Sequence, residues 1–285
     1  MTDLLIDEKA VFQRTLRGRM ILAAGIIVSI ALCTWLAIGF SIPDQPGFSI
    51  SIFQQPHWLI PLFVLLILSI ATIFVAGIIT RTIRPEAAMA CAAFGLASIS
   101  LRGGTMRQTL FIAGGRGVFI ALAIETILLF AFVLAASRIF EWVMSPQSDE
   151  TGLLSPDDQL LAIFAHVVAM SIIMIFSCRS DAKFQTIACV GLSAAVGAFA
   201  ARQLVPMDSI GWLWASPLIV AVIGYLAAWW HPAAMEIGVL NGTLAPLARP
   251  LPLDYLGMGV GGTIVGYWMG GGEEEIEEQE EQPSA

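Results

Sequence analysis

Residues 81–116 read RTIRPEAAMACAAFGLASISLRGGTMRQTLFIAGGR. An apolar run, 87–101, is flanked by Arg81 and Arg84 on one side and by Arg102, Arg107 and Arg116 on the other. As a helix the run measures about 22 Å, short of the ~30 Å hydrocarbon core of a bilayer. Whether it crosses decides the side on which every later loop falls.

A bilayer is relevant because of composition. The 285 residues are 57% hydrophobic and 13% charged, with a mean hydropathy of +0.81. Soluble domains carry about 25% charge. So apolar a chain lacks the polar surface to face water on all sides. The net charge of -8 belongs to a tail: Glu273, Glu274, Glu275, Glu277, Glu278, Glu280 and Glu281 lie together near the C-terminus. Such a segment has no apolar content to bury and is expected to be disordered. No basic block points to nucleic acid.

Lysine and arginine positions bear on 87–101. If it does not cross, only Arg138 and Arg202 of the 14 basic residues lie outside. If it crosses, Arg102, Arg107, Arg116, Arg179, Lys183 and Arg249 move outside instead, leaving 8 of the 14 within. The positive-inside rule favours the first arrangement. The expectation is therefore a short re-entrant or interfacial helix on the cytoplasmic side, within a non-crossing element at 85–116. Gly103-Gly104 and Gly114-Gly115 bracket a second short helix at 105–113.

Around it, six spans are expected, at 20–40, 58–79, 117–136, 160–178, 184–201 and 212–230. A seventh, 253–270, is apolar but glycine-rich and is left open. The fold class is thus an all-α polytopic integral membrane bundle, N-terminus inside, in the cytoplasmic (inner) membrane. Residues 1–19 read as an amphipathic cytoplasmic segment, acids first and bases last. Residues 231–272 read as a Pro/Gly-rich linker plus an apolar helix, and 273–285 as the acidic tail. Two small-residue faces suit close helix packing: Ser193, Gly197 and Ala201, and the tandem GxxxG of Gly262, Gly266 and Gly270.

Polar groups within spans are few. Glu125 falls near the middle of its span, where an ionised carboxylate is expensive. His166 lies at a comparable depth in an antiparallel span, with Ser171 nearby. A Glu125–His166 pair could relay a proton, or act as polar glue between helices. The five pivot arginines form a cytoplasmic basic cluster, serving topology, lipid headgroups or a docked partner.

Enzyme signatures are missing. No H-E-x-x-H occurs, Gly191-Leu192-Ser193-Ala194 lacks the second glycine of a rhomboid G-x-S-G, and Asp254 has no intramembrane aspartate partner. Cys33, Cys91, Cys178 and Cys189 lie in apolar segments without C-x-x-C spacing, so no metal and no cofactor is expected. The leading expectation is a non-enzymatic scaffold, assembly factor or subunit of a membrane complex, with the bilayer and membrane-embedded proteins, or further copies of itself, as partners. The alternative is a transporter or ABC-type permease subunit using Glu125 and His166.

Overall fold

The computed structural model describes residues 2–40, 52–54, 58–80, 85–113, 115–144, 156–205, 207, 210–231 and 244–271. Among them every element is helical. The long helices are α1 (Thr2–Phe40), α2 (Leu59–Thr80), α5 (Gly117–Met144), α6 (Pro156–Ser177) and α7 (Lys183–Leu204). Shorter ones are α3 (Pro85–Ser100), α4 (Met106–Ala113) and α8 (Ala215–Trp230). A last rod runs over 252–270: a turn at Pro252–Asp254, a π turn at Tyr255–Gly259, then α9 (Val260–Gly270).

Five helices are long and apolar enough to cross a membrane: Leu16–Trp35, Leu62–Ile79, Gly117–Ala135, Asp157–Ser177 and Lys183–Leu204. This is a membrane protein with a helical bundle. Exposed aliphatic and aromatic side chains recur at one-turn spacing along α6 (Leu160, Phe164, Val168, Ile172, Phe176), the stripe a helix presents to lipid.

Side-chain contacts fix the direction of each helix. Cys91 Sγ reaches the Leu22 carbonyl at 3.9 Å, Gly95 abuts Ser29 and Cys33, and Thr34 Oγ1 donates to Ser98 Oγ at 3.3 Å. Positions rising along α3 thus meet positions rising along α1. The two helices are parallel, and α3 extends from the level of Leu22 to beyond that of Thr34. We call the end where α1 begins the near end and the opposite one the far end.

Within 85–116, α3 packs in the bundle between α1, α2 and the 252–270 rod. Its physical licence is burial. Ala87, Ala90, Cys91, Ala93, Leu96 and Ala97 are all inside. A helix that touches protein rather than lipid needs neither full length nor high hydropathy, only small residues that let neighbours close in. Arg81 and Arg84 lie outside the described residues, in the link between α2 and α3. Arg102, Arg107 and Arg116 follow the far end of α3.

The other passes alternate. Both α7 and α9 descend from far to near: Gly262 and Gly266 abut the backbone of Gly191 and Ala195, and Gly270 meets Arg202. The GxxxG face is therefore used within the chain. Gly257 lies 2.6 Å, as a hypothetical Cβ, from the Ala97 nitrogen, and Gly261 faces Phe94, so the rod runs against α3. Met174 near the end of α6 meets the Tyr255 hydroxyl, and Gly224 in α8 abuts Leu247. Among the described residues, α1, α2, α3, α5, α6, α7, α8 and the rod pass alternately through one bundle.

Three further boundaries differ. Helix α1 continues unbroken through Arg19 and Met20, so 1–19 is not a separate element. Helix α8 begins only at Ala215, after a 3-10 turn (Gly211–Trp214) in which Trp214 is buried. Residues 244–251 are no linker: Leu244, Ala248, Arg249 and Leu251 are buried at the far end. The 273–285 tail lies outside the described residues.

The seam between α7 and α9 gives a direct test. A methyl group at Gly266 meets the Ala195 carbonyl, which cannot swing away, whereas one at Gly270 meets only the Arg202 side chain at 3.2 Å. Gly266→Ala should cost about 1–3 kcal/mol by overpacking, despite alanine's better helix propensity. Gly270→Ala should be neutral or slightly stabilising. Thermal unfolding of the two variants in one detergent measures the difference.

Candidate functional site

The polar candidates do not assemble into one site. Glu125 is buried on α5, and its two carboxylate oxygens accept the backbone N–H groups of Ile52 and Phe53, each at 3.3 Å. Those donors belong to a 3-10 turn, Ile52–Gln54, between α1 and α2. The turn is tucked against the bundle, with Ile52 buried and Phe53 edge-on to Trp58 at 5.1 Å. An isolated turn leaves its N–H groups unpaired, and a buried N–H needs an acceptor. Glu125 supplies two.

His166 is fully buried on α6. Its Nε2 lies 3.1 Å from the Ala194 carbonyl on α7. A carbonyl only accepts, so Nε2 carries the hydrogen. Nδ1 then holds a lone pair with no hydrogen-bond partner. Gly197 sits against the imidazole, where any side chain would collide with Cδ2. The small-residue face of Ser193, Gly197 and Ala201 thus makes room for His166; Ser193 donates to the Val190 carbonyl at 3.0 Å, and Ala201 is buried. His166 is bonded to Ala194 and not to Glu125. Ser171, half-buried further along α6, takes part in neither arrangement.

A stronger polar cluster was not among the sequence candidates. Asp254 is only 1% exposed at the far end. Its Oδ1 lies 2.7 Å and its Oδ2 3.0 Å from Lys183 Nζ at the start of α7. Oδ2 also accepts the Leu251 N–H at 2.7 Å, as an acid in a first helical turn does. Ser100 Oγ, at the end of α3, donates to Oδ1. One carboxylate therefore ties α3, α7 and the rod. The π turn begins at the next residue.

Beside it, the guanidinium of Arg249 lies 3.5 Å from Asp181, and its Nε donates to the Leu244 carbonyl at 2.9 Å. Two buried tyrosines close the floor, Tyr225 donating to the Pro250 carbonyl and Tyr255 to that of Leu247, each at 2.7 Å. Cys178 lies buried in this layer.

A signal for the Asp254 cluster existed. Pro252-Leu253-Asp254 is a helix start with an acid in its first turn, and Lys183 is the single lysine beyond residue 9. Their pairing spans 71 positions of sequence, and no local pattern carries that. Among the described residues no group of three His, Cys, Asp or Glu is arranged to hold a metal ion. Comparison with protein-family models, with curated proteins and with solved structures finds no match.

Asp254 and Lys183 predict a double-mutant outcome. Asp254→Asn strands the Lys183 ammonium, which is only 14% exposed. Removing one partner of such a pair costs about 3–5 kcal/mol. Lys183→Met should cost a similar amount, and Asp254→Asn with Lys183→Met together much less than the sum. Thermal unfolding of the four proteins closes the cycle.

Proposed function

We propose that this chain is a non-catalytic, multi-pass component of a membrane complex, a scaffold or subunit whose polar groups hold its own helices. One observation carries the reading: Glu125 and His166 are each bonded to backbone. Glu125 is used on Ile52 and Phe53, and His166 on Ala194. A proton path needs titrating groups that face one another or a water-filled cavity. Protonating His166 at Nδ1 would create a buried N–H with no acceptor, which is costly.

With α3 in the membrane alongside α1, the proposed topology has eight passes and both termini on one side. We place that side in the cytoplasm. Of the six basic residues then outside, Lys183 and Arg249 are paired with Asp254 and Asp181. Those two act as paired structural charges rather than loop charges. Arg102, Arg107, Arg116 and Arg179 remain outside, against eight that this topology assigns inside, which still fits the positive-inside rule.

Topology is tested by labelling. In a background lacking the native cysteines, Arg17→Cys and Arg107→Cys should react from opposite faces of the membrane. Reaction of both from one face would restore a non-crossing 87–101.

Function is tested in proteoliposomes loaded with a pH-sensitive dye. The protein should add no proton flux. Its native-membrane extract should contain a second polypeptide, or further copies of the chain, at fixed stoichiometry by native mass spectrometry. Protein-dependent flux that disappears in His166→Gln would establish the transporter reading instead. Glu125→Gln should leave flux at zero yet lower stability by about 1–3 kcal/mol, because its amide NH2 would face a backbone N–H.

A further inference from the structure

The far end carries a basic face that the internal packing leaves unused. Helix α4 is bounded by a capping box in which the Thr105 N–H donates to Gln108 Oε1 at 2.8 Å and the Gln108 N–H to Thr105 Oγ1 at 3.4 Å. Gly115, at φ 92°, turns the chain out of α4 toward α5. Both devices bound α4 as a short helix of its own between α3 and α5. Met106 and Thr109 are buried, so one side of α4 is seated on the protein.

The other side is not. Arg107 and Phe111, one turn apart, are both exposed, and Phe111 at 87% is more exposed than any other described large hydrophobic residue. Arg102, Arg116 and Arg179 are exposed at the same end. No Asp or Glu occurs between Glu86 and Glu125. The acids described at this end are committed elsewhere, Asp254 to Lys183 and Asp181 to Arg249. Trp35, Trp58, Phe184 and Trp230 are exposed around the same rim. Exposed aromatics at helix ends mark the level of a membrane–water interface.

We propose that α4 with Arg102, Arg107 and Arg116 is a binding face for anionic phospholipid headgroups. Phe111 enters the boundary of the acyl chains while the guanidinium groups lie at phosphate level. A helix with a cation and a large apolar residue on the same outward face fits a headgroup layer, where both chemistries are available within a few ångströms. Guanidinium forks match phosphate oxygens in pairs. An acidic soluble protein would satisfy the arginines but leave Phe111 in water, so charge and apolar exposure together favour lipid.

The experiment uses the full chain in nanodiscs of mixed phosphatidylglycerol and phosphatidylcholine, released into the gas phase for native mass spectrometry. Wild type should retain phosphatidylglycerol in preference. Arg102→Gln, Arg107→Gln and Arg116→Gln combined should reduce that preference at least about fivefold, roughly the effect of one basic residue at a charged surface. The same three positions changed to Lys should keep most of it, and Phe111→Ser should weaken retention of both lipids. All four positions are solvent-facing, and an unchanged thermal midpoint verifies folding. Equal retention by wild type and the Gln variant overturns the assignment even though nanodisc insertion itself succeeds. So does release of the lipid by inorganic phosphate with Phe111→Ser silent, since the arginines would then be an ion site.

Discussion

Asp254 is the constraint on which the arrangement rests. A buried carboxylate is tolerated only when its lone pairs are filled. Here they are filled from three directions, by Ser100 of α3, by Lys183 of α7 and by the Leu251 N–H of its own turn. Each partner is the terminal or near-terminal residue of its element, so the carboxylate sets where three helices stop or start. It joins the end of α3 directly to the start of α7, adding to the contacts both make with the rod. The α7–α9 seam also depends on this register. Gly262 and Gly266 can face the Gly191 and Ala195 carbonyls only if the two helices start level.

The glycines have a shared logic across the bundle. Gly197 admits the His166 imidazole, Gly224 admits the Leu247 backbone, and Gly257 admits Ala97. In each case a side chain is missing where another helix comes closest. Within lipid there is no hydrophobic force between helices, so close backbone approach and interhelical hydrogen bonds must hold them together. His166 to Ala194 is one such bond, and Tyr267 on α9 adds one to the Met207 carbonyl just beyond α7, at 3.1 Å. Arg202 stacks over Tyr267, 4.3 Å from the ring centre, and donates to its carbonyl. The near end is closed by that cation–π contact as the far end is by ion pairs.

The helical membrane class was legible from composition, and the five long helices from their apolar length. Small-residue faces were legible too, because glycine spacing is local. What escaped was the path of 85–100. Hydropathy reports contact with lipid, and α3 has little: its alanines face α1, α2 and the rod. The arginine count treats Lys183 and Arg249 as loop charges, whereas each is paired with an acid remote in sequence. Glu125 and His166 were recognisable as unusual residues in apolar surroundings. Their partners were not, since both are backbone groups, which carry no residue-type signal.

That last point changes how an intramembrane acid should be interpreted. Replacing Glu by Gln is the usual way to separate titration from hydrogen bonding, on the premise that the amide preserves the bond. The premise holds when the acid accepts through one oxygen. Glu125 accepts through both, from two consecutive N–H groups. Gln offers one acceptor and one donor, so it opposes a donor to a donor whatever its rotamer. A defect in Glu125→Gln is therefore no evidence of proton transfer, because the loss of an acceptor for a buried N–H already accounts for it. A change in flux that is independent of folding is needed before a carboxylate that accepts two backbone N–H groups is assigned to a proton path.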